Sequence, residues 1–235
     1  MRLKSDMIGR CRQFLRQRAV KLPAALLTVT VVAVLTAVTC VGGEGKGMNC
    51  SDWRLVFDGY GAASCNSQTV TLSPAVATRA DETHAGLATS ETVTVEAGRV
   101  TVCRATLLTR KQLRRGGAPN PWEVAWLLWS YQDNDHFYAL VLKPNGWEVS
   151  KQNPAYPGKQ QFLASGATPD FAVGRTYQVT VRVDTTASGE VVTDIAVDGE
   201  DLVTISDTDA PYSFGPVAAY TEDAAIEVTV SPVIP

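Results

Sequence analysis

The chain has 235 residues, of which 45% are hydrophobic, and a formal net charge of −3 at pH 7. Residues 1–43 carry seven of the 21 basic residues and one of the 24 acidic ones, which leaves 14 basic and 23 acidic residues in 44–235 and a formal net charge of −9 there. A domain this acidic repels nucleic-acid backbones, so we expect no nucleic-acid partner.

The N-terminal segment, residues 1–43, has the features of a targeting sequence. Seven basic residues and a single acid, Asp6, precede the uncharged apolar run Leu22–Val41. This run is longer than the usual core of a signal peptide and just long enough to span a bilayer. The basic flank would stay in the cytoplasm, so the rest of the chain would be extracytoplasmic. Two interpretations stay open: a cleaved signal peptide of a secreted protein, or an uncleaved helix anchoring it to the cytoplasmic membrane. A lipoprotein at Cys40 is disfavoured because the bulky Thr39 precedes it directly.

Residues 44–52 form a Gly-rich linker, and residues 53–235 are predicted to form one domain. The cysteines Cys50 and Cys65 bracket the first predicted strand, which favours a disulfide between them in an oxidising compartment. Cys103 would then be a buried thiol. The C-x-x-C spacing typical of zinc sites is absent from the sequence.

Turn signals recur at short intervals after residue 53, and no segment has a convincing helical pattern. The predicted strands are Leu55–Tyr60, Thr69–Leu72, Ser90–Val95, Arg99–Leu107, Trp122–Gln132, His136–Leu142, Trp147–Lys151, Gln161–Ala164, Thr176–Asp184, Val191–Val197, Glu200–Asp207, Gly215–Tyr220 and Ala225–Val230. Many short strands at this spacing predict an all-β fold in which two antiparallel sheets pack as a sandwich. Asp198-Gly199 is typical of a hairpin turn between two of them.

The stretch Trp122–Lys151 predicts three consecutive strands, joined by turns at Asp133-Asn134-Asp135 and Pro144-Asn145-Gly146. Its first strand is apolar or aromatic on both faces. One face holds Trp122, Val124, Trp126 and Leu128; the other holds Glu123, Ala125, Leu127, Trp129 and Tyr131. We therefore expect a central strand with one face on the core, and the other face covered by loops or forming the floor of a groove.

A family resemblance follows from this stretch together with four others in the same order. They are LVFDGYG at Leu55–Gly61, VGRTYQVTVRV at Val173–Val183, IAVDGEDLVTISD at Ile195–Asp207 and GPVAAYTEDAAIEVTV at Gly215–Val230. Together they resemble the concanavalin A-like, laminin-G-like jelly rolls of bacterial secreted proteins, in particular the 3-keto-disaccharide hydrolase type, also called glycoside hydrolase family 16-like. The resemblance implies a jelly roll over Leu55–Val230. This architecture hosts lectins, hydrolases, lyases and adhesion modules alike.

Candidate saccharide-binding residues come from the central strands and from the loop Gln152–Gln160; a second long loop, Thr109–Pro121, also flanks these strands, and an ordinary surface connection is the alternative for each loop. Aromatic rings stack on the C–H face of a sugar, and carboxylates, amides or cations bind its hydroxyls. The residues with suitable chemistry are Glu123, Trp129, Tyr131, His136, Tyr138, Lys151, Gln152 and Tyr156. The aromatic residues have an alternative role in the core, which is favoured for Trp126 and Trp147 and stays open for Trp129 and Tyr131.

Catalysis would require two carboxylates facing each other across a scissile bond. The E-x-D-x-x-E or E-x-D-x-E strand motif of true family 16 glycosidases is absent from the sequence. The central strand offers Glu123 alone, with Glu148 as its partner if the protein is an enzyme. G-x-S-x-G and H-E-x-x-H motifs are absent too, which disfavours a serine or metal hydrolase.

Calcium is suggested by the resemblance, since similar jelly rolls hold a structural Ca²⁺ near the chain ends. Asp58 in the first strand and Glu227 in the last are the candidate ligands. Asp133-Asn134-Asp135 is favoured as an ordinary turn, and Thr221-Glu222-Asp223 is ambiguous.

The sequence thus predicts a monomeric, exported or membrane-tethered domain that binds a glycan without cleaving it. A glycoside hydrolase or lyase is the first alternative, and a protein-binding module of the cell envelope is the second.

Overall fold

A computed structural model describes Met48 and residues 50–232. These residues belong to one compact unit, Gly45–Pro235. The predicted signal or anchor segment and most of the linker lie outside the described residues. Within the part of the chain that the structure describes, no helix is long and apolar enough to cross a membrane.

The described residues form fourteen β-strands and no helix. In chain order these are β1 Trp53–Phe57, β2 Ala62–Asn66, β3 Thr69–Ser73, β4 Ala85–Val95, β5 Val100–Gln112, β6 Trp126–Asp133, β7 His136–Lys143, β8 Gly146–Gln152, β9 Gln160–Gly166, β10 Thr176–Thr185, β11 Val191–Val197, β12 Glu200–Asp207, β13 Gly215–Glu222 and β14 Ala224–Pro232. Every predicted strand has a counterpart among them. The edge strand β2 was not predicted, because its sequence AASCN lacks the β-branched and aromatic residues that identify strands.

The strands form two seven-stranded antiparallel sheets. The front sheet has the order β1-β4-β13-β6-β7-β8-β9, and the back sheet has the order β12-β11-β10-β5-β14-β3-β2. This confirms the predicted two-sheet antiparallel sandwich. The Asp198-Gly199 turn joins β11 to β12 with φ values of 53° and 89°, the positive values that a tight hairpin requires.

The main core lies between the two sheets. In β10, Tyr177, Val179, Val181 and Val183 are buried in it, and in β14, Ile226, Val228 and Val230 are buried likewise. The polar residues between them face away, so the alternation seen in the sequence places these strands correctly. Cys103 is a free, buried cysteine in this core, as predicted, and burial raises its pKa to about 12.

The predicted disulfide between Cys50 and Cys65 is confirmed, with the two Cα atoms 6.3 Å apart. Cys50 precedes β1 of the front sheet, and Cys65 lies in β2 at the edge of the back sheet. The bond therefore ties the two sheets together along one side of the sandwich.

The central strand β6 has two apolar faces, as predicted. Leu127 and Trp129 pack into the core between the sheets, whereas Trp126 and Leu128 belong to a second apolar cluster on the opposite side of the front sheet. Tyr131 was predicted on the same face as Trp129, and this is wrong. Ser130 adopts a φ of 49° and the register shifts between Trp129 and Asp133, so Tyr131 joins the second cluster.

Candidate functional site

The candidate site is the outer face of the front sheet, the side that faces away from the back sheet. Its apolar cluster contains the buried residues Leu87, Val124, Trp126, Leu128, Tyr131, Ala139, Val141 and Ala218, and the partly exposed rings of Phe57, Trp122, Phe137 and Tyr220. A sheet face that does not contribute to the main core is normally polar. An aromatic one is typical of a binding surface.

Strand register arranges this face in rows that cross the strands. The middle row has small or aliphatic side chains: Thr89, Ala218, Leu128, Ala139 and Ser150, followed by Phe162 at the edge strand β9. The next row has larger side chains: Leu87, Tyr220, Trp126, Val141 and Glu148. Tyr131 and Phe137 flank the middle row on the other side. The small side chains of the middle row therefore lie between aromatic rings on both sides.

The rings beside the middle row are held in place by their neighbours. Trp126 and Tyr220 pack edge to face, with ring centres 5.0 Å apart, and Tyr131 and Phe137 stack with ring centres 6.0 Å apart. Trp126 Nε1 donates a hydrogen bond of 2.8 Å to the carbonyl oxygen of Trp122. The Tyr131 hydroxyl donates one of 2.7 Å to Asn134 Oδ1. These contacts fix the ring positions before any ligand arrives.

The charges on the outer face are paired. Arg54 Nε lies 3.2 Å from Glu91 Oε1 near the β1 edge, and Lys143 pairs with Glu148 toward the β9 edge. Glu148, a predicted catalytic carboxylate, thus lies on the candidate surface with a cation beside it. The surface presents balanced charge at both of these places.

Three predicted site residues lie together where the β6–β7 and β8–β9 hairpins turn. His136 Nδ1 is 2.7 Å from Asp133 Oδ1, and the His136 ring packs edge to face against Tyr212. The Tyr212 hydroxyl donates to the carbonyl oxygen of Gln152, 3.0 Å away. Tyr156, in the loop that follows Gln152, is 43% exposed. Of these three residues, Gln152 lies next to the candidate surface, since its backbone pairs with that of Phe137.

Three other predicted site residues are buried beneath this end and do not reach the surface. Trp129 is 1% exposed and stacks on Tyr138, with ring centres 5.6 Å apart. Lys151, with no exposed surface, pairs with Asp207 at 2.7 Å. Burial and a 2.5 Å hydrogen bond to Asp207 raise the pKa of the Tyr138 hydroxyl. A groove floored by Trp129 is therefore not formed, because β6 turns that ring into the core.

Glu123 lies in a buried cluster of charges at the other end of the sheet. Arg114 Nε is 2.6 Å from Glu123 Oε1, and Arg114 Nη2 is 2.6 Å from Asp223 Oδ2. Asn120 Nδ2 donates to the same Glu123 oxygen at 2.7 Å. Arg114 belongs to the segment predicted as the surface loop Thr109–Pro121, but β5 extends to Gln112 and the Arg114 side chain is buried. No local sequence pattern indicates this pairing, because Asp223 is 109 residues away from Arg114 in the chain.

Glu222 adds a third carboxylate to this cluster. It is 3% exposed, and burial, together with the negative charges of Asp223 and Glu123, raises its pKa to about 8. The Tyr220 hydroxyl donates a 3.0 Å hydrogen bond to Glu222 Oε1. Since the Tyr220 ring belongs to the outer face, this bond connects the aromatic surface to the buried acids.

The predicted calcium ligands lie in other interactions. Asp58 Oδ1 accepts a hydrogen bond from the Tyr60 backbone at 3.0 Å, and Glu227 pairs with Arg110. Among the described residues, no group of three or more His, Cys, Asp or Glu side chains could hold a metal ion. Asp133 Oδ1 accepts from the Asp135 backbone at 2.8 Å, which is the ordinary turn expected there.

No protein-family model matches the chain. No curated protein matches its sequence either. Among solved structures, the fold is similar to that of the carbohydrate-binding module CBM66 from Bacillus subtilis, with a TM-score of 0.50 and 14% identity, covering 77% of this chain and 94% of that one. It is also similar to the carbohydrate recognition domain of Emp46p in its metal-free form, with a TM-score of 0.50 and 9% identity, covering 78% of this chain and 89% of that one.

These similarities establish the class of fold. The chain is an all-β sandwich of the jelly-roll kind, the fold of this carbohydrate-binding module and this carbohydrate recognition domain. At identities this low the likeness extends to the fold alone.

Proposed function

We propose that the domain binds carbohydrate on the outer face of its front sheet. The observation that carries this is the set of partly exposed rings Phe57, Trp122, Phe137 and Tyr220 on the side away from the core. Sugar rings stack their C–H faces on such side chains, while hydroxyls bond to polar neighbours. Gln160, which is partly exposed and donates a 3.2 Å hydrogen bond to the buried Ser150 hydroxyl, supplies such a neighbour on the same face. The solved structures with this fold, which include a carbohydrate-binding module, add support.

The test is a glycan array probed with the full chain, kept soluble in a detergent without a sugar headgroup. Titration of the best glycan would follow, with wild type, Phe137→Ala and Tyr60→Ala. Tyr60 is a suitable control because it is 85% exposed in the turn after β1, outside the aromatic cluster. We expect Phe137→Ala to weaken binding by about tenfold, or roughly 1.4 kcal/mol, and Tyr60→Ala to leave it unchanged. Equal affinity in all three proteins, or no glycan bound, would refute the proposal.

A glycoside hydrolase or lyase of the 3-keto-disaccharide hydrolase type is the second candidate. One observation favours it: Glu222, whose pKa is raised to about 8, lies close enough to Glu123 and Asp223 for their charges to contribute to that shift. A protonated acid beside a carboxylate is the pairing that glycoside hydrolysis uses. The burial of all three carboxylates blocks substrate access, so binding without cleavage ranks first. Release of reducing ends from oligosaccharides by wild type, lost in Glu123→Gln, would reverse that order.

Export of the domain is part of the proposal. A disulfide between Cys50 and Cys65 is expected where the environment is oxidising, and the basic and apolar segments before residue 43 are typical of exported proteins. Cell fractionation and N-terminal sequencing of the mature protein would distinguish secretion from membrane anchoring.

Calcium binding at Asp58 and Glu227 stays a prediction, as does the monomeric state. A rise in melting temperature on adding Ca²⁺, reversed by chelation, would support the first. Sedimentation of the purified chain would establish the second. If neither sugars nor Ca²⁺ change the melting temperature, the protein-binding alternative becomes the better one.

A further inference from the structure

The strand register places one row of side chains across the outer face. Its middle row runs from Thr89 through Leu128 and Ala139 to Ser150 and Phe162, perpendicular to the strands. Thr89, Leu128 and Ala139 have no exposed surface, so a ligand would contact the rings beside and beyond the row. Phe162 is one of these rings. It is 53% exposed on the edge strand β9 and its backbone pairs with Ser150.

The rings along this direction are too far apart for one sugar. Tyr220 lies in β13 and Phe162 in β9, four strand intervals away in the front sheet. Neighbouring strands are about 4.8 Å apart, so the two backbone positions are separated by about 19 Å. The partly exposed ring of Phe137 in β7 lies between them, beside the buried Trp126 of β6. A single pyranose, about the size of one aromatic ring, would reach only part of this series.

The charges of the face indicate a ligand without charge. Arg54 is paired with Glu91, and Lys143 is paired with Glu148, so the cation of each pair already has a counter-ion. Residues 44–235 carry a formal net charge of −9, which repels acidic polysaccharides.

We propose that the glycan is a linear, uncharged chain of several sugar units that lies across the strands, from Tyr220 toward Phe162. This inference rests on the proposed function and specifies its ligand. Each ring contributes a small stacking energy, so affinity rises with the number of sugar units until each of these rings contacts a sugar. Phe162, at the end of the row, acts only on chains long enough to reach it.

The experiment measures affinity against chain length for the full chain. The probes are cello-, xylo-, manno- and malto-oligosaccharides of one to six units, with oligogalacturonates as charged counterparts. We expect at least one uncharged series to gain about tenfold or more in affinity between the disaccharide and the pentasaccharide. Equal affinity for short and long members overturns the inference, as does preference for the oligogalacturonates. If the protein binds a glycan on the array but none of the four uncharged oligosaccharide series, this inference alone is overturned. Failure on the array as well overturns the proposed function.

The variant Phe162→Ala provides the positional test. Phe162 is exposed at a sheet edge, so its removal leaves the core intact. We expect the disaccharide affinity to stay unchanged and the gain with longer chains to fall by several fold. The matched control Tyr60→Ala should retain the whole gain. Equal losses for short and long chains in Phe162→Ala would overturn the proposed direction of the chain.

Discussion

Lys151 Nζ lies 2.7 Å from Asp207 Oδ2, and both side chains are buried. Lys151 belongs to β8 of the front sheet and Asp207 ends β12 at the edge of the back sheet, so the ion pair crosses the sandwich. Lys151 Nζ also donates to the carbonyl oxygens of Asp209 and Ala210, at 2.5 and 3.0 Å. The Tyr138 hydroxyl completes the group, since it donates to Asp207 and accepts from the Tyr212 backbone at 3.0 Å. A buried pair with this many partners holds β8 of the front sheet to the β12 edge of the back sheet.

The first prediction concerns this pair. Lys151→Met leaves the Asp207 carboxylate buried without its cation, and we expect the free energy of unfolding to fall by about 3–5 kcal/mol. Denaturant titration measures the change. The double variant Lys151→Met/Asp207→Leu removes both charges and should recover a large part of the loss. The exposed Lys111→Met is the control and should stay within about 0.5 kcal/mol of wild type. A double variant no more stable than the single one would contradict this account.

Sequence patterns predicted the strands of the sandwich better than the surroundings of individual polar residues. Alternation located β10 and β14 because each has one face in the core, a relationship contained within a few neighbouring residues. Asp207 and Asp223, the buried partners of Lys151 and Arg114, lie far from them in the chain, and no local pattern encodes these pairs. Arg114 therefore looked like part of a basic surface loop, although it pairs with Asp223, 109 residues away. Tyr131 was assigned to the wrong face because the positive φ at Ser130 occurs without the glycine that usually signals it.

The second prediction is a loss of stability as pH rises. The pKa of Glu222 is raised from 4.5 to about 8 in the folded protein. Between these values the folded state holds a proton that the unfolded state has released. The stability that this bound proton contributes is fully present below pH 4.5 and is lost as pH rises through 8. The free energy of unfolding then falls by at most about 1.4 kcal/mol per pH unit.

Glu222→Gln tests this directly, since the amide has the shape of the protonated acid and does not ionise. We expect its free energy of unfolding to fall less steeply between pH 5 and 8 than that of wild type, as measured by denaturant titration at each pH. Glu91→Gln, a change at a half-exposed carboxylate, should retain the wild-type slope. Parallel pH profiles for wild type and Glu222→Gln would show that Glu222 is not the group responsible.

The third prediction concerns the cysteines. The Cys50–Cys65 bond closes a segment with a sequence separation of 15, and its reduction should lower the free energy of unfolding by about 3 kcal/mol. Cys103 should resist iodoacetamide in the folded protein, because it is buried and its pKa is raised to about 12. Mass spectrometry would detect alkylation at Cys103 only after denaturation. Rapid labelling of Cys103 under native conditions would contradict its place in the core.

The last prediction separates the two faces of the front sheet by their effects on stability and binding. Trp129 faces the core and Phe137 faces outward, although they lie on the adjacent strands β6 and β7. Trp129→Ala removes a buried ring from between the sheets and should cost about 3–5 kcal/mol of stability. Phe137→Ala should cost clearly less, because its ring is already partly exposed, yet it should weaken glycan binding. Paired measurements of unfolding and glycan affinity check both variants. If Trp129→Leu, which keeps an apolar side chain in the core, reduced affinity as strongly as Phe137→Ala, the binding surface could not be confined to the outer face.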